Sequence, residues 1–201
     1  MLKPVAIQRY RRYRYFNRTR FDSQRDDENM KKGYVHILTG NGKGKTTAAL
    51  GLSVRAAGAG MKVYFAQFIK KGDYSEIKAL RRFSDQITVR QFGLGRFTDH
   101  NPTSENIQAA RSGLEQVKQV MALNKHDIII LDEANVAVKF GLLIVHDLIN
   151  LITHKPYEME LVITGRYASP RIIDMADMVT EMKPIKHYYL KGVEARVGIE
   201  K

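Results

Sequence analysis

The chain has 201 residues, of which 44% are hydrophobic and 27% charged, the balance of an ordinary globular domain. No apolar run approaches the roughly 20 residues that a membrane helix needs, and no apolar signal core opens the chain. The absence of cysteine excludes disulfides, thiolate metal sites and a cysteine nucleophile. A single main domain in the cytoplasm, with no membrane partner, is the expectation. The formal charge of +12 is uneven: residues 1–33 hold ten Lys/Arg against four Asp/Glu. Such a surface attracts polyanions, whether nucleic acid, nucleotide triphosphate or anionic lipid.

Residues 1–32 form a basic aromatic arm, in which Arg9 to Phe16 interleave cations with rings. That mix suits stacking and phosphate contact, and the arm is a candidate lid over an anionic ligand. The domain proper is expected over 33–201.

Its first strand, Tyr34 to Leu38, runs into Thr39-Gly40-Asn41-Gly42-Lys43-Gly44-Lys45-Thr46-Thr47, and a helix opens at Ala48. Strand, glycine-rich turn and helix together make a phosphate cradle, because backbone N–H groups and the helix N-terminus converge on one anion. Gly40, Asn41, Gly42, Lys43, Gly44, Lys45, Thr46 and Thr47 are therefore candidates to bind ATP. Lys45 reaches the outer phosphates, and the Thr46 hydroxyl is placed for Mg²⁺. The loop departs from the strict G-x-x-x-x-G-K-[ST] pattern, since Thr39 stands where the first glycine is expected. Arg55, nine residues past Thr46 on the helix, is a candidate phosphate or interface contact.

A second strand is expected over Met61 to Ala66, a short helix over Tyr74 to Phe83 and a third strand over Ile87 to Gln91. Two glycines among aromatics follow, from Phe92 to Phe97, and suggest a binding loop at the strand's carboxyl end. Thr103 or Ser104 caps a helix running to residue 123. Ile128-Ile129-Ile130-Leu131 reads as a strand buried on both faces. It ends in Asp132-Glu133, the acidic pair that holds Mg²⁺ in phosphate-loop proteins. A helix over 142–154, a strand from Met159 to Thr164, a helix from Ser169 or Pro170 to Ala176 and a strand from Met178 to Met182 follow. Val193 to Ile199 is a candidate short edge strand. Strands alternating with helices give a three-layer α/β fold of the phosphate-loop NTPase, RecA-like type, with a mostly parallel central sheet.

The stretch Gly40 to Ala49, Gln67-Phe68-Ile69-Lys70 and Leu131 to Ala137 resemble the phosphate-loop ATP:corrinoid adenosyltransferases of cobalamin biosynthesis. Thr164-Gly165-Arg166, Ala176-Asp177, Val179 to Met182, Lys186-His187 and Gly198-Ile199-Glu200 fall in the same order as in that family. The resemblance covers about residues 33–200. It implies transfer of the 5′-deoxyadenosyl group of ATP to a Co(I) corrinoid (of the cobalamin, cobinamide or cobyrinic acid diamide type) with release of triphosphate. The nucleophile is then the substrate's cobalt, and no side chain attacks. Arg166 joins the ATP set, Phe97, Asn135, Lys186 and His187 become corrinoid contacts, and Thr46, Asp132 and Glu133 hold Mg²⁺. In some members a Trp stands two residues beyond the aromatic matched by Phe97; here that residue is Asp99. A homodimer served by a reducing protein, a flavodoxin or flavoprotein reductase, is implied as well. The competing reading, a RecA-like ATPase stimulated by nucleic acid, rests on the arm alone, and nucleic acid is disfavoured as a partner.

Overall fold

The computed structural model describes residues 32–95 and 102–200. The arm reading over 1–32, and those on Phe97 and Asp99, lie outside the described residues except at Lys32.

Six strands form the sheet: β1 (Val35–Thr39), β2 (Val63–Ile69), β3 (Ile87–Gly93), β4 (Ile128–Asp132), β5 (Glu160–Thr164) and β6 (Met178–Glu181). Their order is β3-β2-β4-β5-β1-β6, and every neighbouring pair is parallel. Parallel neighbours need crossover connections, supplied here by α1 (Lys45–Gly58), α2 (Ser75–Leu80), α3 (Ser104–Leu123), α4 (Ala134–Lys139), α5 (Val145–Thr153) and α6 (Pro170–Ile173). None of the described helices is long and apolar enough to cross a membrane.

Two cores cover the two faces of the sheet, and the pleat sorts residues between them. On β4, Ile128 and Ile130 join Ala49, Ala56 and Leu80 of α1 and α2, whereas Ile129 and Leu131 join Leu114, Val117, Leu148 and Ile172 of α3, α5 and α6. A strand with helices on both sides has no solvent face, which is why four consecutive aliphatics stand there. Thr103 caps α3 as expected: its Oγ1 accepts from Asn106 N at 3.3 Å, and Asn106 Oδ1 accepts from Thr103 N at 3.2 Å. Gly113 lets α3 close on β3, because a Cβ there would fall 2.3 Å from Phe92 Cγ.

Several bounds shift, one helix is added and one strand is lost: α1 starts at Lys45 rather than Ala48, and α6 ends at Ile173 rather than Ala176. The helix expected from residue 142 begins at Val145, where Asp147 Oδ2 accepts from Ile144 N at 2.9 Å and sets the first turn. Directly after the acidic pair lies α4, six residues too short for its periodicity to register in the sequence. No strand forms over residues 193–199. Ile199 N and Glu200 N both donate back to Arg196 O, so the segment closes into turns instead of pairing beyond β6.

Ile130 is fully buried on the central strand. Ile130→Ala is expected to lower unfolding stability by about 2–5 kcal/mol, read as a shift in denaturant midpoint at constant m-value.

Candidate active site

The strand ends β1, β2, β4, β5 and β6 converge on one side of the sheet, where ligands of open α/β folds bind. Thr39 still belongs to β1 and pairs with Glu181, so it needs no glycine freedom. The first left-handed residue comes one place later, at Gly40 (φ 92°). This accounts for the shifted motif. The loop then presses on the end of β6: Gly42 N donates to Met182 O at 2.7 Å, and a Cβ at Gly40 would sit 2.4 Å from that same oxygen.

Lys45, the first residue of α1, folds back on its own loop and donates to Gly40 O at 2.7 Å and Gly42 O at 2.8 Å. Burial, then the charge of Arg166, pushes its ammonium pKa down. Lys43 reaches the C-terminal segment instead, donating to Glu200 Oε1 at 2.7 Å and to Tyr188 Oη at 3.1 Å.

Asp132 ends β4 and is completely buried. Its Oδ1 accepts from Thr46 Oγ1 at 2.9 Å and Thr164 Oγ1 at 2.7 Å, and its Oδ2 accepts from Gln67 Nε2 at 3.0 Å. Three donors satisfy a charge that would otherwise be costly to bury. Glu133 follows in the left-handed region (φ 61°), with its N–H on Thr164 Oγ1 at 3.0 Å. This turn sends its carboxylate to the cleft wall, 3.7 Å from Lys70 Nζ. Burial, then the charge of Asp132, raises the pKa of the Glu133 carboxyl.

The cleft has a volume of about 960 Å³. Residues 41–47 form its floor, Lys70, Glu133 and Arg166 stand along one wall, α2 contributes Ser75, Glu76 and Ala79, and the C-terminal segment contributes His187, Tyr189, Leu190, Ile199 and Glu200. Four cations (Lys43, Lys45, Lys70 and Arg166) around an open floor of backbone amides make a receptor for a highly charged anion.

The family model described as ATP:corrinoid adenosyltransferase BtuR/CobO/CobP matches residues 31–200. The chain belongs to the ATP:corrinoid adenosyltransferase family. A corrinoid adenosyltransferase of Pseudomonas aeruginosa is 32% identical over 98% of this chain and 98% of its own length. The corrinoid adenosyltransferase CobA of Salmonella typhimurium is 33% identical over 98% of this chain and its full length. Among solved structures, flagellar accessory protein FlaH of Methanocaldococcus jannaschii shares the fold, with a TM-score of 0.56 at 16% identity over 80% of this chain and 78% of its own. The family is one of transferases that serve cobalamin biosynthesis.

Of the residues expected in the site, the phosphate loop from Asn41 to Thr47, Glu133, Arg166 and His187 line the cleft. Others stand elsewhere. Arg55 lies exposed on the last turn of α1, about 15 Å of helix from Lys45, and does not line the cleft. Asn135 is 1% exposed and donates from Nδ2 to Gly165 O at 3.4 Å, bracing the tip of β5, while its Oδ1 has no hydrogen-bond partner among the described residues. Lys186 is exposed outside the cleft lining. Asp132, enclosed by its three donors, does not line the cleft; its Oδ1 holds the Thr46 hydroxyl.

Sequence reasoning assigned no role to Gln67, Thr164 or Tyr188. A signal exists for the first two: each is a polar residue in or at the end of an otherwise apolar buried strand, near its carboxyl end, where a carboxylate needs donors. Tyr188 meets Lys43 from 145 positions away, a distance that local pattern cannot bridge.

An acid whose folded pKa is raised stabilises the fold fully below its ordinary range, and that contribution is lost as pH rises through the raised value. Ionised Glu133 is then a local strain on the ligand-free protein. Glu133→Gln is expected to raise its Tm at about pH 8, with the gain shrinking toward about pH 5, as thermal unfolding at both pH values would show. Lys45→Ala should weaken ATP binding by about 10- to 100-fold, measured by calorimetry, because a charge-assisted contact to phosphate is lost.

Proposed function

We propose that this cleft grips the triphosphate of ATP and presents its C5′ to the Co(I) of a corrinoid. The cobalt supplies the electron pair, the cobalt–carbon bond forms, and the C5′–O bond breaks with its pair leaving on the triphosphate. The observation that carries this reading is the gathering of Lys43, Lys45, Lys70 and Arg166 with Thr46 and Glu133 at the ends of neighbouring strands. A leaving triphosphate is stabilised by cations and amides already in place, which removes reorganisation at the moment of bond breaking.

Each side chain has a task. Lys45 exchanges its two loop carbonyls for phosphate oxygens. The open loop amides hold the rest of the chain of phosphates, and Arg166 covers it from the tip of β5. Asp132 fixes the Thr46 hydroxyl through Oδ1. Thr46 and Glu133 are hard oxygen donors facing the same anion, the donor set that suits Mg²⁺, which takes one or two protein oxygens and fills the remainder with phosphate and water. When bound, Mg²⁺ would supply further charge neutralisation to the triphosphate. His187 lines the cleft on the side of the C-terminal segment and is the one expected corrinoid contact among the described residues that does so. A homodimer and an electron donor of the flavodoxin or flavoprotein reductase class belong to this reading on the strength of the family resemblance.

Incubation of the protein with reduced Co(I) corrinoid and Mg·ATP should give a light-sensitive adenosylated corrinoid and one equivalent of inorganic triphosphate. Release of orthophosphate without adenosylation would overturn the reading. ATP hydrolysis stimulated by polynucleotide would favour the RecA-like ATPase instead.

A further inference from the structure

The C-terminal segment beyond β6 lies in the open. Ile185 is 87% exposed, Leu190 84% and Val197 77%, so little apolar burial holds it in place. Its order comes from a polar knot. Glu200 accepts from Lys43 Nζ at 2.7 Å, from Arg196 N at 2.9 Å and from the Tyr188 hydroxyl, and the Arg196 guanidinium stands 5.0 Å from the Tyr188 ring centroid. Lys43 ties that knot to the phosphate loop. One cation of the loop is thus held by a carboxylate of the segment that forms the opposite wall of the cleft.

We infer that residues 183–200 act as a strap, in which Glu200 occupies Lys43 in the ligand-free protein and yields it to the incoming triphosphate. The inference rests on the reading of the loop as a triphosphate grip. A carboxylate and a phosphate oxygen ask for the same ammonium, so the two compete for it. Competition for a shared group is a coupling between sites and acts both ways. Glu200 weakens triphosphate binding, and triphosphate loosens the strap that carries Tyr189, Leu190 and Ile199. Departure of triphosphate lets the knot re-form, so the wall of the cleft reports whether the loop is filled.

The probe is inorganic triphosphate, which lacks the base and ribose that could shield the strap. In the full-length protein, E200Q should bind it about three- to tenfold tighter than the wild type, and the gain should vanish when both proteins carry K43M. Triphosphate should also speed tryptic cleavage after Lys186, Lys191 and Arg196 in the wild type, while E200Q is cut at the faster rate without it. Equal or weaker binding by E200Q, or cleavage that triphosphate slows or leaves unchanged, would overturn the strap alone. Triphosphate binding to neither protein would overturn the grip and the strap together.

Discussion

A carboxylate withdrawn from water is stable only if its lone pairs find donors, and Asp132 finds three from three different elements. Thr46 brings the start of α1, Gln67 the carboxyl-terminal half of β2 and Thr164 the end of β5. The charge of one side chain thereby fixes the mutual distances of the strand tips that bear the cleft. The same Thr164 hydroxyl takes the N–H of Glu133 and so sets the turn that exposes the neighbouring carboxylate. Loss of any one donor leaves a buried charge partly unpaired, which is why polar residues persist at the ends of strands that are otherwise aliphatic.

The phosphate loop rests on this frame from the other side. Its glycines are needed where the backbone of Met182 approaches, and its lysines are held by the carbonyls of Gly40 and Gly42 and by the carboxylate of Glu200. A receptor with its cations pre-positioned but internally satisfied exchanges one set of hydrogen bonds for another on binding. The gain is then selective for ligands with many oxygens, since a single carboxylate or phosphate replaces only part of what is given up.

Much of this was legible in the sequence because it is local. The alternation of apolar strands with helices, the cap at Thr103 and the loop from Gly40 to Thr47 are written in consecutive residues. Arg55 stands ten residues along α1 from Lys45, far enough to leave the cleft. Asn135 shows that a polar residue just past a strand end can brace the neighbouring turn, a contact to Gly165 that lies 30 positions away. The segment over 193–199 has the apolar alternation of a strand, yet hydrogen bonds from Ile199 and Glu200 to Arg196 O close it on itself. The pairing of Lys43 with Tyr188 and Glu200 joins the first and last parts of the domain, and only the folded chain brings them together.

The position of β1 in the sheet has a further consequence. It lies between β5 and β6, strands that leave the ribosome more than a hundred residues later. Until they are made, β1 has neither neighbour, and the loop after it lacks both the Thr164 side and the Met182 backbone that shape it. Nascent chains must therefore hold an unpaired apolar strand through most of their synthesis, a window in which long-range parallel pairing is slow and association with other chains competes. Nucleotide binding is in this sense a property of the completed chain, acquired only as its last strand docks.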